Sequence, residues 1–275
     1  MTDSDWGTWL VDEIADADPD GVALWYLGCN GFVLKADDGT TVFIDPYLGT
    51  GHPPETIRMV PVPFSPGDVS EADAIFGSHE HLDHVHGPSQ APILANTGAD
   101  FYASDSGHDV VAEEDWTGEW GVEDDQLHEI AEGDTLSVGA FTVHVEPAND
   151  PDAIHPVSLV FEHDAGTFFH AGDARPGEFE SVGEAYDVDL GVLAFGSIGN
   201  RFDPELGERV RTQWYSDENM VIEAANELQL DRLLPSHWDM WKGFTADPTS
   251  LHNHSASFPY PETLEIVEIG DRVDL

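Results

Sequence analysis

Apolar residues recur at near-helical spacing over residues 6–16, where Trp6, Trp9, Leu10 and Ile14 predict an amphipathic helix. Short β-rich runs follow at Val22–Leu27, Phe32–Lys35 and Thr41–Ile44. The turn Asp37-Asp-Gly39 joins the last two as a hairpin. Residues 49–70 are rich in Gly and Pro and read as a long loop, the expected rim of a cleft. Ala74–Gly77 predicts a short buried strand. Further strands are expected at Phe101–Ala103, Phe141–Val145, Val157–Phe161, Thr167–Phe169, Leu190–Ala194 and Leu233–Pro235. Residues 217–229 read as a helix with Met220, Val221, Ala224, Ala225 and Leu228 on one face and Ser216 as N-cap. With no repeat and no linker, strands interspersed with helices predict one layered α/β domain over residues 1–275.

Composition changes this picture in one respect. Asp and Glu number 55 against 9 Lys and Arg, a formal net charge of −46. Such like charge strains a compact chain in dilute buffer. Around 1 M salt the Debye length falls to about 3 Å and screens most of it. The acids are spread evenly and 14 Phe and 8 Trp are present, so the chain reads as a folded protein of a very salty cytoplasm. Nucleic acid and anionic membranes are excluded as partners, because both require a basic face. The first residues lack a basic, then apolar, leader pattern. No apolar run approaches the ~18 residues of a spanning helix. One cysteine, Cys29, rules out an internal disulfide and a multi-cysteine metal site.

The chemistry concentrates where the run Ala74–Gly77 ends. His79-x-His81-x-Asp83-His84 offers four metal-binding side chains in six residues. Alternate residues of extended chain point the same way, so His79 and His81 can share one ion. Asp83 and His84 then complete that site or serve a second. Imidazole with carboxylate suits zinc, manganese or iron. Further ligands are expected at strand ends: His155 before Val157, Asp173 after Gly172, and His237 after Pro235. Asp173 would bridge two ions, as a dinuclear hydrolase requires. Asp45, after Ile44, is expected to accept a ring N–H from a ligand histidine. Cys29 is assigned a packing role, since no histidine follows at an activating spacing. His144 and His170 lie on strands beside the proposed ligands, and the other histidines read as surface residues.

The His79–His84 signature, His155, Gly172-Asp173 and His237 resemble the metallo-β-lactamase superfamily. Trp6-Gly-Thr-Trp-Leu10, Trp25-Tyr-Leu-Gly-Cys-Asn-Gly31, Gly49-Thr-Gly51, Gly196-Ser197, Pro235-Ser-His-Trp-Asp-Met-Trp241 and Ala246-Asp-Pro248 are similar to the L-ascorbate-6-phosphate lactonases. The resemblance spans nearly the whole chain. It implies a four-layer αββα sandwich with the metal site at one edge of two sheets. It also implies lactone or ester hydrolysis by metal-bound hydroxide, a divalent cofactor of one or two ions (manganese or zinc), and self-association. This chain is shorter before Ala74 and near residue 150, and His155 stands where those lactonases carry a different residue.

Asp83 is the expected catalytic carboxylate, orienting the water and passing on its proton. A phosphorylated small-molecule substrate needs cations against the overall field, and Arg175, Arg201 and Lys242 are the best placed in sequence. Two competing readings remain. One is phosphodiester cleavage at the same metals; the other is a metal-binding protein without hydrolysis. Against a redox di-iron protein of related fold, His81 stands where such proteins carry Glu, and no flavodoxin-like segment follows.

Overall fold

The computed structural model describes residues 4–275. Its strands are β1 (Val22–Gly28), β2 (Gly31–Ala36), β3 (Thr41–Ile44), β4 (Ala74–Gly77), β5 (Asp100–Ala103), β6 (Leu127–Glu129), β7 (Thr135–Val138), β8 (Phe141–Pro147), β9 (Val157–His163), β10 (Gly166–His170), β11 (Leu190–Ala194), β12 (Gly199–Asp203), β13 (Glu208–Thr212), β14 (Arg232–Ser236), β15 (Thr263–Leu264) and β16 (Arg272–Asp274). The helices are α1 (Trp9–Asp16), α2 (Gly87–Thr97), α3 (Asp105–Glu113), α4 (Trp116–Trp120), α5 (Glu180–Ala185), α6 (Glu218–Leu228) and α7 (Ser250–Ser255).

Two seven-stranded sheets form, in the orders β16-β1-β2-β3-β4-β5-β6 and β15-β14-β11-β10-β9-β8-β7. Each is built on one plan. An antiparallel meander (β1-β2-β3, and β7-β8-β9-β10) gives way to parallel strands (β4-β5-β6, and β11-β14-β15). The ribbon β12–β13 stands apart from both.

Strand periodicity explains the layering. Leu24, Phe32, Leu34, Phe76, Val143, Phe161 and Phe168 point inward between the sheets and form one buried cluster. The alternate residues Trp25, Val33, Phe43, Ile75 and Phe101 face outward under Leu10, Ile14, Ile93, Leu94, Val111 and Trp116 of α1–α4. On the second sheet Val160, Phe169, Leu193 and Leu233 face Val182, Val221, Ala225, Leu228 and Leu251 of α5–α7. Both faces of each sheet are therefore covered, which is why β1–β4 are apolar runs without polar alternation. The result is the expected αββα order.

The hairpin at Asp37–Gly39 forms, with Lys35 opposite Thr41. Helix α6 is capped by Asp217 and not by Ser216: the Asp217 side chain accepts from the Asn219 and Met220 amides. Among the described residues, no helix is long and apolar enough to cross a membrane.

Candidate metal centre

Parallel strands of both sheets deliver side chains to one edge of the sandwich. Asp45 follows β3, Ser78-His79 follows β4, Asp173 lies three residues past the end of β10, and His237 follows β14. The β1–β2 turn adds Cys29 and Asn30, and the β8–β9 connection adds Asp150. The Val157 amide donates to the Ser78 carbonyl at 2.9 Å, tying the two sheets together beside the site. Among the described residues, three of the five non-glycine residues with positive φ, namely Cys29, Asp45 and His237, stand here. Backbone held in this sparse region marks a site over-determined by its surroundings. At Gly172, with φ +58°, a Cβ would sit 3.0 Å from Ser78.

Asp45 is fully buried and fully engaged. Its Oδ1 accepts from the Ser78 amide at 2.8 Å, and its Oδ2 accepts from Ser78 Oγ at 2.6 Å and from His84 Nδ1 at 2.7 Å. The last contact is the one expected from sequence. A carboxylate only accepts, so His84 carries its proton on Nδ1 toward Asp45 and turns Nε2 to the centre. Ser78 Oγ gives its proton to Asp45 and lies 3.0 Å from His79 Nδ1. His79 therefore donates from Nδ1 to Ser78 and presents Nε2. One carboxylate thus orients two imidazoles, the second through a serine.

The presented atoms converge. His79 Nε2 lies 2.9 Å from His81 Nδ1, while His81 Nε2 donates to the Asp152 carbonyl at 3.1 Å. Two ring nitrogens left as acceptors face each other at that short distance, which repels unless a cation lies with them. Asp150 Oδ2 is 3.8 Å from His79 Nε2 and is buried without a hydrogen-bond partner. Beyond them, Asp173 places Oδ2 3.4 Å from His84 Nε2 and Oδ1 3.2 Å from His237 Nε2. Asp83 Oδ2 stands 3.6 Å from His237 Nε2, and the His237 and His84 Nε2 atoms are 3.5 Å apart. Donors about 2.0–2.2 Å from one ion in tetrahedral array are separated by about 3.3–3.6 Å. The donor set and its spacing fit divalent metal: His79, His81 and Asp150 on one side, Asp83, His84 and His237 on the other, and Asp173 between.

Electrostatics agree. Burial opposes charge on His84, yet Asp173, Asp45 and Asp83 overcome it and hold its pKa well above the ordinary value. Burial likewise opposes charge on Asp173, and His237 and His84 outweigh it, holding that carboxyl well below its usual range. Protons thus neutralise the carboxylates in the metal-free protein, and metal must displace them. Burial and then Asp173 push the Asp150 carboxyl up to about 6. Above that pH the carboxylate is free to bind; below it a proton competes. Below pH 6 the apparent metal Kd should therefore rise more steeply, by about a further tenfold per pH unit beyond the dependence that displacing the His84 proton already gives. Asp150→Asn should remove that added steepness and leave the rest. Competition against a chromophoric chelator at pH 5 to 8 measures both; parallel curves for the two proteins would remove Asp150 as a ligand.

Of the seven metal ligands expected from sequence, six meet here and His155 does not. Its exposed ring pairs with Asp105 at the start of α3, Nδ1 to Oδ1 2.6 Å. Asp150 takes the place by His79. In an acidic, irregular connection, spacing does not say whether Asp150, Asp152 or His155 turns inward. Cys29 packs as expected, but against the metal centre: its Sγ is 3.4 Å from Asp83 Oδ2. The sulfur is nearly equidistant from the two His237 nitrogens, at 3.4 and 3.7 Å, which places it alongside the ring and not beyond Nε2. His170 supports the site from behind, donating from Nε2 to the Asn30 carbonyl at 2.9 Å, whereas His144 pairs with Glu162 elsewhere on the sheet. Ser78 and Tyr215 carried no signal in sequence, and Asn30 and Trp241 lay in stretches similar to the lactonases without a role assigned to them. Asn30 Nδ2 reaches Asp173 at 3.4 Å, Tyr215 stacks on His237 at 4.1 Å, and Trp241 Nε1 donates to Asp83 at 3.1 Å.

A cavity of about 430 Å³ opens over the centre. Its wall includes His52, Glu55 and Thr56 of the loop read as a cleft rim, with Trp214, Tyr215 and Trp241. Arg175, Arg201 and Lys242, expected to bind substrate, are not on it. Arg175 pairs with Asp152 at 2.7 Å and Arg201 with Asp203 at 3.3 Å, while the Lys242 side chain is exposed. In a chain this acidic, an arginine finds a carboxylate neighbour first.

A β-lactamase superfamily domain model matches residues 40–238. The chain is 25% identical over 293 aligned positions to the probable L-ascorbate-6-phosphate lactonase UlaG of Salmonella gallinarum, covering 90% of this chain and 78% of that one. Among solved structures it is similar to Igni18, a metallo hydrolase from Ignicoccus hospitalis, with TM-score 0.66 and 18% identity over 92% of this chain and 97% of that one. It is similar also to CmlA, a diiron β-hydroxylase from Streptomyces venezuelae, with TM-score 0.67 and 17% identity over 94% of this chain and 55% of that one.

Proposed function

We propose, from the premise that this chain belongs to the metallo-β-lactamase superfamily, that it is a metal-dependent hydrolase that opens a lactone or carboxylic ester of a small molecule. The observation that carries the reading is Asp173, 3.4 Å from His84 and 3.2 Å from His237 and within 4.8 Å of His79 of the other ligand group, beneath a cavity large enough for a small substrate. Divalent metal bound there supplies Lewis acidity and makes water a nucleophile near neutral pH. Manganese and zinc are the ions proposed.

The chain's own residues do the rest. Asp45 and Ser78 keep the His79 and His84 rings aimed at the centre. Asp83 lines the cavity, and the Trp241 indole fixes one of its oxygens. That carboxylate is assigned to take the proton of the attacking water. Tyr215 and Trp241 close the site on the side of His237 and exclude bulk water.

The test uses protein purified in high salt, stripped with chelator and reloaded with manganese or zinc. Lactones and aryl esters should be turned over by the reloaded enzyme and by neither the stripped protein nor metal alone. Turnover of bis-p-nitrophenyl phosphate with none of any lactone or ester would replace this reading by phosphodiester cleavage.

A further inference from the structure

We infer that the cavity selects a substrate without negative charge, carrying a flat apolar portion, and discriminates against a phosphorylated lactone. This rests on the hydrolase reading above.

The inference comes from an account of all nine cationic side chains. None lines the cavity. Lys35 is buried under α1 against the Ile14 and Ala15 carbonyls. Arg58 donates to the Tyr47, Gly49, Val60 and Pro61 carbonyls and shapes the rim loop from within. Arg175, Arg201, Arg232 and Arg272 each pair with a carboxylate. Arg209 and Arg211 lie on β13, outside both large sheets, and Lys242 projects to solvent.

The wall itself carries five carboxylates, Glu55, Asp83, Asp150, Asp152 and Asp173. Two divalent ions together with Arg175, already held by Asp152, do no more than balance them. No positive charge is left over for a phosphoryl group distant from the metals. A phosphate there needs charge-assisted donors of the guanidinium kind. The two basic side chains on the wall are imidazoles, His52 and His81, and His81 already faces His79. The wall also carries the indoles of Trp214 and Trp241 and the Tyr215 ring. Trp214 is braced by stacking on Phe244 at 4.2 Å. Rigid aromatic walls of this kind favour a flat apolar ligand face.

The experiment compares matched sugar-acid and aryl lactones with and without a phosphate group, using reloaded enzyme at one fixed salt concentration. The phosphorylated member of each pair is expected to show a kcat/KM at least tenfold lower. Glu55→Arg, which reverses one charge on the rim, is expected to shift that ratio toward the phosphorylated member by about tenfold. Equal or faster turnover of the phosphorylated lactone overturns the inference and leaves the hydrolase reading standing. A ratio unmoved by Glu55→Arg overturns charge as its cause. No turnover of either member, with metal bound, brings down both.

Discussion

Replacing Asp173 by asparagine is expected to reduce kcat/KM for the best ester or lactone by a factor on the order of 10³ or more. The carboxylate places its two oxygens 3.4 Å from His84 and 3.2 Å from His237, and it also groups with His79 across the centre. An amide keeps the shape but offers one acceptor oxygen and no charge. Bound metal per chain should fall as well, and the two losses should go together. Metal content by elemental analysis, set beside kcat/KM, makes the check. Full metal content with unaltered kcat/KM would show that Asp173 does not hold the centre together. Asparagine is preferred to alanine because Asn30 still finds a partner there and the buried turn after Gly172 keeps its packing.

The second large effect is expected at Asp45, which touches no substrate. Asp45→Asn should weaken metal binding by about 10- to 100-fold, the usual cost of losing the partner that orients a ligand histidine. Three donors converge on this carboxylate: the Ser78 amide, Ser78 Oγ and His84 Nδ1. An amide accepts on one side only, so one of these contacts becomes donor against donor. Its negative charge, one of three that keep His84 charged in the metal-free protein, is also lost. The backbone is not the cause of the effect, because asparagine tolerates φ 46° as readily as aspartate. Metal affinity by chelator competition is the readout, with Asp45→Glu as comparison. Glutamate restores the charge but not the reach, so recovery by glutamate would assign the effect to charge alone. Wild-type affinity in Asp45→Asn would mean that the rings need no such support.

Several elements were legible because they rest on local rules. Runs such as Val22–Leu27 and Val157–Phe161 are too apolar to face water on either side, and they became strands covered on both faces. Asp37-Asp-Gly39 closed a hairpin because its residues accept the required turn. The ribbon β12–β13 and the short strands β6, β7 and β16 were not foreseen. They are brief, partly polar and exposed, so no periodicity distinguishes them from loop. Helices α2 and α4 escaped because Gly and Pro interrupt them.

For the centre, the sequence by itself pointed to the candidate ligands that sit in the His79–His84 motif or follow a strand end within three residues, and the structure brings these together. There the strand end fixes where the chain emerges at the sheet edge. The His79–His84 segment is nevertheless a turn, with the His84 and Val85 amides donating to the His81 carbonyl, and not the extended chain expected, and His237 has φ 65°. Only the tertiary structure decided the rest. Asp150 and His155 lie in an irregular connection where direction depends on what lies alongside, and Asp105 drew His155 away while Asp150 was buried beside His79. Asn30, Tyr215 and Trp241 act on the ligands across chain separations that no local pattern encodes, and Ser78, though next to His79, gains its role only from the distant Asp45. Charge followed the same division: composition announced an excess of carboxylates, but only packing showed that no Lys or Arg was left to line the cavity. Local geometry follows from the chain; which distant groups meet follows from the closing of two sheets over one core.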